Sequence, residues 1–470
     1  MQTFIGSQIE ITNPTQDILD WAKSRLILDN PEYKQLMLMG KERLIKWQHV
    51  PEKLYLYAQK GDKLILPFGL LKSVWKFIKD SPFDTGFNNA GEISIKDCKP
   101  AFPLYDYQET AVKAIIAAKG GVLVSVCGSG KSVCGIETIR RIGRKALWLC
   151  MTGDLLRQAK RDMEELYPSI KIGLTTEGKL EIGEDVTIST VQTLSRIDPA
   201  LYKNEFDVII CDECAHVCSF PSKMQMFGKV LSNIPARIKI GLTATPSRSD
   251  ANMIRAMYAY IGADNKGDFA PTYKVDRSQV KTIQAVHEKI ELQSGYDNIE
   301  NMLELYDSSG MIIYNNLIAA LSDDNGRTDK IIENIVKCDL EGRKQVVLTL
   351  RVEHCKVIVE KLIDRGINAV LCTGAVTAKR RNEILTGKVN WQCLVATYSL
   401  LKEGVSIKEL DTLHLATPIK EKAMIVQSVG RIERYMDNKK QPIVYDYVDM
   451  DIPYCVKAYD VRRRALKTRF

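Results

Sequence analysis

Short, predominantly apolar runs at residues 121–126, 145–151, 185–191, 206–211 and 237–243 alternate with longer stretches in which apolar residues recur at three- and four-residue spacing. The runs predict strands and the spaced stretches predict amphipathic helices. Strands apolar on both faces imply a parallel sheet covered by helices on both sides, because a sheet with one wet face would alternate. The same alternation restarts near residue 328, with strands expected at 345–350, 368–372, 392–398, 412–416 and 442–448. Residues 1–98 follow a different pattern. They open on a strand-like segment, Thr3–Thr12, then a helical stretch, Thr15–Leu28, then mixed segments through Phe77. Asp80–Lys99 is rich in Gly, Asn, Asp and Pro and reads as a linker. The expected division is a small N-terminal α+β domain at 1–98 and two α/β lobes at 99–268 and 269–470.

Composition narrows the picture a little. A chain of 470 residues, 45% apolar, supports two or three cores. No run approaches the ~18 apolar residues of a membrane span. Met1–Glu10 lacks the basic and apolar regions of a secretory signal, so a cytoplasmic protein is expected. The twelve cysteines agree, since Cys150, Cys211, Cys372 and Cys393 lie in apolar runs as reduced core residues do. Cys211, Cys214, Cys218 and His216 lack the second paired cluster that a zinc site would use. A net charge of +8 permits a nucleic-acid partner without requiring one.

The chemistry begins at residues 125–132, Ser-Val-Cys-Gly-Ser-Gly-Lys-Ser, between an apolar run and a helical stretch. Gly128 and Gly130 free backbone N–H groups to wrap phosphate oxygens, Lys131 adds a point charge at the β/γ end, and Ser132 offers a hydroxyl to Mg²⁺. Ser125 stands where the general pattern has its first Gly. Val208–Cys211 is an apolar run ending in Asp212 and Glu213. At the carboxyl end of a parallel sheet, Asp212 can hold Mg²⁺ through water and Glu213 can deprotonate the attacking water. Thr243 and Thr245 close another run with hydroxyls able to bond the acidic pair. In the second lobe Gln427, Arg431 and Arg434 lie on an expected helix, the two arginines three apart and able to reach one anion. Only the first lobe has a phosphate loop, so one nucleotide shared by two lobes is the simplest reading.

These segments resemble motifs I, II, III and VI of the superfamily 2 helicases. Leu104–Gln108 resembles the adenine-reading Q motif, Arg351–His354 motif IV, Thr373-Gly374 motif IVa, and Ala396–Tyr398 through Glu403-Gly404 motif V. Eight matches in family order cover about residues 100–450. Within the superfamily they look most like XPB-type and phage UvsW-type DNA helicases. The resemblance implies tandem RecA-like lobes, the first ATP-binding and the second the helicase C-terminal lobe, with ATP and Mg²⁺ as cofactors. It places Tyr105, Gln108, Cys127, Gly128, Ser129, Gly130, Lys131, Ser132 and Gly404 at the nucleotide, and Ser132 and Asp212 at Mg²⁺. It assigns catalysis to Lys131, Asp212, Glu213, His216, Gln427, Arg431 and Arg434. Strand contacts map to Thr152, Thr190, Arg351, Thr373, Gly374 and Thr397. Departures are Ala215 at the first motif II His position, with His216 following, Cys127 for Thr, Tyr105 for an adenine-stacking Arg, and Ser406 for a ribose-binding Asp.

The expected function is therefore an ATP-dependent DNA helicase that remodels branched DNA in replication, recombination or repair. A monomer is expected, with single-stranded and branched DNA as partners alongside replication or recombination proteins, in the host cytoplasm if phage-encoded. Two alternatives are an RNA helicase or transcript-release ATPase, and the motor subunit of a restriction or defence assembly. Residues 1–98, with thirteen Lys/Arg against twelve Asp/Glu, are the module expected to grip a duplex arm, and deleting them is expected to spare single-strand-stimulated ATPase. Arg462, Arg463, Arg464, Lys467 and Arg469 form a basic C-terminal segment that reads either as a duplex contact or as a solvated tail.

Overall fold

The computed structural model describes residues 1–126, 128–176, 178–218, 221–244, 251–294, 305–308, 310–398 and 407–467. Cys127, Thr245, Gly404, Ser406 and Arg469, all singled out by sequence, lie outside the described residues, as does the side chain of His216. The chain divides into two compact units, Met1–Val280 and Lys281–Phe470.

The first unit opens on the N-terminal module. Strands β1 (Gln2–Ile5), β2 (Gln8–Thr12), β5 (Ala58–Lys60), β6 (Lys63–Pro67) and β7 (Phe83–Thr85) form a sheet in the order β5-β6-β2-β1-β7. A separate ribbon pairs β3 (Ile27–Asp29) with β4 (Lys53–Tyr55). The stretch 80–99 is not a free linker. It contributes β7, parallel to β1, and then buries Ile93 and Ile95 in the core of the following lobe. Carboxylates satisfy its backbone: Ala90 N–H donates to Asp207 at 3.1 Å and Ser94 N–H to Asp185 at 2.5 Å.

The lobe that follows is a seven-stranded, all-parallel sheet of β8 (Gly121–Val124), β9 (Ala146–Cys150), β10 (Ile172–Thr175), β11 (Val186–Thr190), β12 (Val208–Cys211), β13 (Ile238–Thr243) and β14 (Tyr273–Lys274). Their order is β10-β11-β9-β12-β13-β8-β14. Period-two alternation sends Leu123, Trp148, Ile188 and Ile210 into one core and Val122, Leu147, Leu149 and Ile209 into the other. That is why the strands read as continuous apolar runs. β14 extends this sheet beyond residue 268, so the division falls at Val280 rather than at the expected position, because the hydrogen bonds of 273–274 go to β8.

The second unit repeats the plan. β15 (Val286–Leu292), β16 (Gln345–Thr349), β17 (Ala369–Cys372), β18 (Cys393–Thr397), β19 (Thr412–Leu415) and β20 (Ile443–Asp449) are parallel, in the order β15-β20-β19-β16-β18-β17. Val346, Leu348 and Leu394 face one core; Val347, Val395 and Tyr447 face the other. The two units are tandem RecA-like lobes, the first carrying a small α+β module.

Candidate active site

The phosphate loop leaves the carboxyl end of β8. Ser125 N–H donates to Thr243 O at 3.0 Å, tying the loop to the end of β13, and the Ser129 hydroxyl donates to Val126 O at 2.7 Å. Gly128 and Gly130 adopt left-handed φ values of 81° and 75°, which side chains disfavour. The turn ends directly in the helix Lys131–Ile142, whose first N–H groups and dipole face the loop. Ser132 is the second residue of that helix.

Two residues of the preceding helix, Asp106–Ala117, hold the loop from behind. Gln108 Nε2 donates to Ser129 O at 2.9 Å, and Tyr107 hydroxyl donates to the same oxygen at 2.9 Å. Gln108 Oε1 accepts from Tyr105 N–H at 3.0 Å. Tyr105 stacks on Tyr107 with ring centroids 5.7 Å apart and planes 10° apart, and is itself exposed. Its outer face is thus free to stack on a flat base. Sequence reasoning missed Tyr107; its only signal was a second Tyr two residues beyond Tyr105. Arg141 adds a charged clamp between the helices, bonding Glu109 of one and Glu137 of the other, both at 2.5 Å.

The acidic pair follows β12. Asp212 is buried and its N–H donates to Leu149 O of the neighbouring β9. Burial raises its carboxyl well above the usual range, the adjacent Glu213 charge raises it further, and Lys131 opposes both. Glu213 sits at φ 47°, a conformation that strains a side-chain-bearing residue, and its N–H donates to Asp212 Oδ1 at 3.0 Å. Lys131 Nζ lies 3.9 Å from Glu213 Oε1. This donor set fits Mg²⁺–ATP: a loop of N–H groups and an ammonium for phosphate, and a buried carboxylate whose desolvation a cation would offset.

Strand order separates this cluster from the remaining candidates of the lobe. β8, β13 and β12 are neighbours and carry the phosphate loop, Thr243 and the acidic pair. β9 and β11, on the other side of β12, lead into Thr152 and Thr190. Both threonines cap short or long helices through their hydroxyls, Thr152 from Leu155 N–H and Thr190 from Thr193 N–H.

In the second lobe, adjacent strands β16, β18 and β17 carry Arg351, Thr397 and Thr373-Gly374 at their carboxyl ends. Arg351 and Gly374 are exposed, whereas Thr373 is fully buried and its Oγ1 has no hydrogen-bond partner among the described residues. Of the pair, only Gly374 is exposed, because the Thr373 hydroxyl faces inward. The helix carrying Gln427 and Arg431 is Lys422–Ile432. It ends before Arg434, which instead bridges Thr282 in extended backbone. The shared helix face therefore belongs to Gln427 and Arg431, four apart, rather than to the two arginines. Gln427 Oε1 and Arg431 Nε are buried without a partner among the described residues. The basic C-terminal segment is also corrected. Residues 453–467 form a helix in which Arg462 is buried against Asp446, at 2.6 Å and 2.8 Å, and Ile419 O. Burial of that ion pair removes Arg462 from any duplex contact.

Two family profiles match the chain in order: "Type III restriction enzyme, res subunit" over residues 101–248 and "Helicase conserved C-terminal domain" over 327–436. A probable helicase of Escherichia phage T5 is 26% identical over 360 residues, 74% of this chain and 72% of the relative. The ATP-dependent DNA helicase UvsW of Enterobacteria phage T4 is 23% identical over 420 residues, 82% of this chain and 79% of that one. Among solved structures, S. cerevisiae Dbp5 bound to RNA and ADP BeF3 aligns with a TM-score of 0.55 at 14% identity, covering 85% of this chain and 92% of that one. No helix among the described residues is long and apolar enough to cross a membrane. With its ordered motifs, its paired parallel-sheet lobes and these relatives, the chain belongs to the superfamily 2 helicases, of the UvsW/XPB type, and is an ATP-dependent helicase.

Proposed function

We propose that this helicase is a DNA motor that remodels branched duplexes such as forks and four-way junctions, acting as a monomer. The observation that carries the motor reading is the split carboxyl edge of the first lobe, with phosphate loop and acidic pair on β8, β13 and β12, and Thr152 and Thr190 beyond β9 and β11. Small hydroxyls and backbone N–H groups suit sequence-neutral phosphate contacts. The DNA reading rests on the likeness to phage UvsW, described as an ATP-dependent DNA helicase.

Each residue has a distinct task. The loop from Gly128 to Ser132 cradles the triphosphate, Lys131 neutralises its β/γ end, and Gln108 and Tyr105 read the base. Ser132 and Asp212 would hold Mg²⁺, which supplies charge neutralisation of the phosphates when bound. Glu213 takes a proton from the attacking water. Arg431 and Arg434, with Gln427, stabilise charge on the transferring phosphoryl group when the second lobe engages the nucleotide. Engagement with triphosphate and release after hydrolysis would make Thr152 and Thr190 alternate with Arg351, Gly374 and Thr397 in gripping one strand.

The test is ATPase and unwinding measured across single strands, blunt duplexes, forks and four-way junctions, of DNA and of RNA. Preference for branched DNA is the expected result. Stimulation by single-stranded RNA but not DNA would replace this reading with an RNA helicase.

A further inference from the structure

The N-terminal module carries a helical hairpin that its own core does not need. Helices Pro31–Leu38 and Glu42–Gln48 are inserted between β3 and β4. Their base is firmly built. Buried Asn30 accepts from Glu32 and Tyr33 N–H groups, and its side chain donates to Pro51 O at 2.7 Å. Its own N–H donates to Glu52 O at 3.0 Å, so both ends of the insertion meet at one residue. Asp29 pairs with Lys34 and Lys53, each at 2.5 Å, across the same base.

The far end is bare. Leu38 is 90% exposed, Met39 54% and Trp47 76%, whereas singly scattered exposed apolar residues would need no explanation. The intervening turn is closed by Gly40 at φ 65°, which presents Leu38 and Met39 at the tip. Lys41, Arg43 and Lys46 are exposed around this apolar end, and none has an ion-pair partner among the described residues. Arg43, Lys46 and Trp47 recur at helical spacing and share one face. Residues 31–50 hold four Lys/Arg against two Glu. Cations interleaved with an exposed indole match a polyanion whose bases are unstacked.

We infer that this hairpin meets the branch point of the nucleic acid: Trp47 stacks on a base exposed at the fork, Leu38 and Met39 wedge against the neighbouring step, and Lys41, Arg43 and Lys46 hold flanking phosphates. Apolar wedges flanked by cations are a known way to part stacked bases. The inference rests on the branched-substrate reading above, and it names the element that would recognise the branch.

The experiment uses the full chain with Trp47→Ala, Trp47→Phe and the triple change Lys41→Ala/Arg43→Ala/Lys46→Ala. All four residues are exposed, and unchanged thermal melts would establish that the fold is intact. Fork affinity without nucleotide, read by fluorescence anisotropy, should fall about tenfold in Trp47→Ala, the loss of roughly one stacked base. Trp47→Phe should keep most of the affinity while the fork-induced quenching of tryptophan emission disappears. The triple variant should flatten the slope of log affinity against log salt by up to about 2.7, for three phosphate contacts. Single-strand-stimulated ATPase should stay within about twofold in all three. Wild-type fork preference retained by every variant overturns the hairpin assignment and leaves the branched reading standing. A wild-type chain indifferent to forks overturns the branched reading itself, whatever the variants do. Variants that bind forks normally but lose retention of a replication protein would make the hairpin a protein-docking element and likewise overturn the inference.

Discussion

Replacing Gly130 by Ala tests whether the adenine-side residues and the phosphate loop form one unit. At φ 75° an added Cβ would stand 2.3 Å from Gln108 Nε2. An amide end can usually swing aside, but this one bridges Tyr105 N–H and Ser129 O, at 3.0 Å and 2.9 Å. The left-handed backbone costs an alanine about 1–2 kcal/mol. Displacing Gln108 forfeits two hydrogen bonds at about 1 kcal/mol each. Ser129 O keeps its bond from Tyr107, which limits the loss. The sum, about 3 kcal/mol, corresponds to a loss of ATP affinity of roughly a hundredfold, since each 1.4 kcal/mol is tenfold. Titration of a fluorescent ATP analogue measures it, alongside thermal melts that separate local from global damage. The decisive comparison is the double change with Gln108→Ala. Once Gln108 is gone the collision is gone, so Gly130→Ala should then cost only its backbone strain of about 1–2 kcal/mol. Losses that simply add would refute the coupling.

Three further outcomes follow from the same geometry. Lys131→Ala should lower both ATP binding and turnover, while Glu213→Gln, which keeps shape but loses basicity, should bind ATP and turn over at least about a hundredfold more slowly; near-normal hydrolysis by Glu213→Gln removes Glu213 from the basic role. Arg431→Ala and Arg434→Ala should each slow turnover by about 10³-fold with little change in ATP affinity of the unengaged protein, and a binding loss as large as that of Lys131→Ala would refute their assignment to the transition state. Burial first, and Glu213 second, lift the Asp212 carboxyl to about 7. The metal-free fold therefore holds a proton that the unfolded chain releases near 4, so this group's stabilisation is full below about 4 and is lost as pH rises to about 7. Mg²⁺ must expel that proton, so its affinity should weaken as pH falls below about 7; a Mg²⁺-induced rise in Tm that is equal at about pH 5.5 and about pH 8 would sink the assignment of Asp212 to the metal.

Most strands of both lobes were legible because a parallel sheet buried on both faces leaves few polar positions to interrupt the run. Val208–Cys211 and Gln345–Thr349 are wholly buried, and the expected limits lie within a few residues of the observed ones. β15 escaped notice for the converse reason. As an edge strand it alternates, Val-His-Glu-Lys-Ile-Glu-Leu, and only Leu292 is buried. The stretch 80–99 was misread because Gly, Asn and Pro report turns and say nothing about whether the turns pack. Ile93 and Ile95 were the available signal. Arg462 illustrates a different limit. Its place in a basic run suggested solvent, whereas its environment is set by Asp446, a β20 residue that only the tertiary fold brings to it. The positions of Thr152, Thr190, Gly374 and Thr397 in the fold followed from motif order, since each ends or follows a strand at the carboxyl edge of its own lobe. The inward turn of Thr373 did not.

The way the module is joined to the first lobe decides how branch recognition can be separated from the motor. Residues 1–98 were expected to be removable. Instead one apolar cluster runs from Ile9, Ile11, Leu66 and Leu70 of the module into Met224, Met253, Ala256 and Ala259 of the lobe. At Gly69 the backbones approach so closely that a Cβ would stand 2.6 Å from Ala259 O and 2.7 Å from Gly262 N. Buried Lys239 of β13 reaches across to Ser7 O at 3.4 Å and lies 5.0 Å from the Phe68 ring. Truncation at residue 98 would therefore expose the helix Ala251–Ile261 and uncover Lys239, and a loss of ATPase in the truncated chain would report unfolding rather than a role in catalysis. That helix is the next described element after β13, whose end holds the phosphate loop through Thr243 O, so the module is packed on the element that follows the strand tied to the nucleotide site. Substitutions confined to the exposed end of the hairpin leave this shared core intact. They are the perturbation that can distinguish a chain that grips a branch from one that merely pulls a strand.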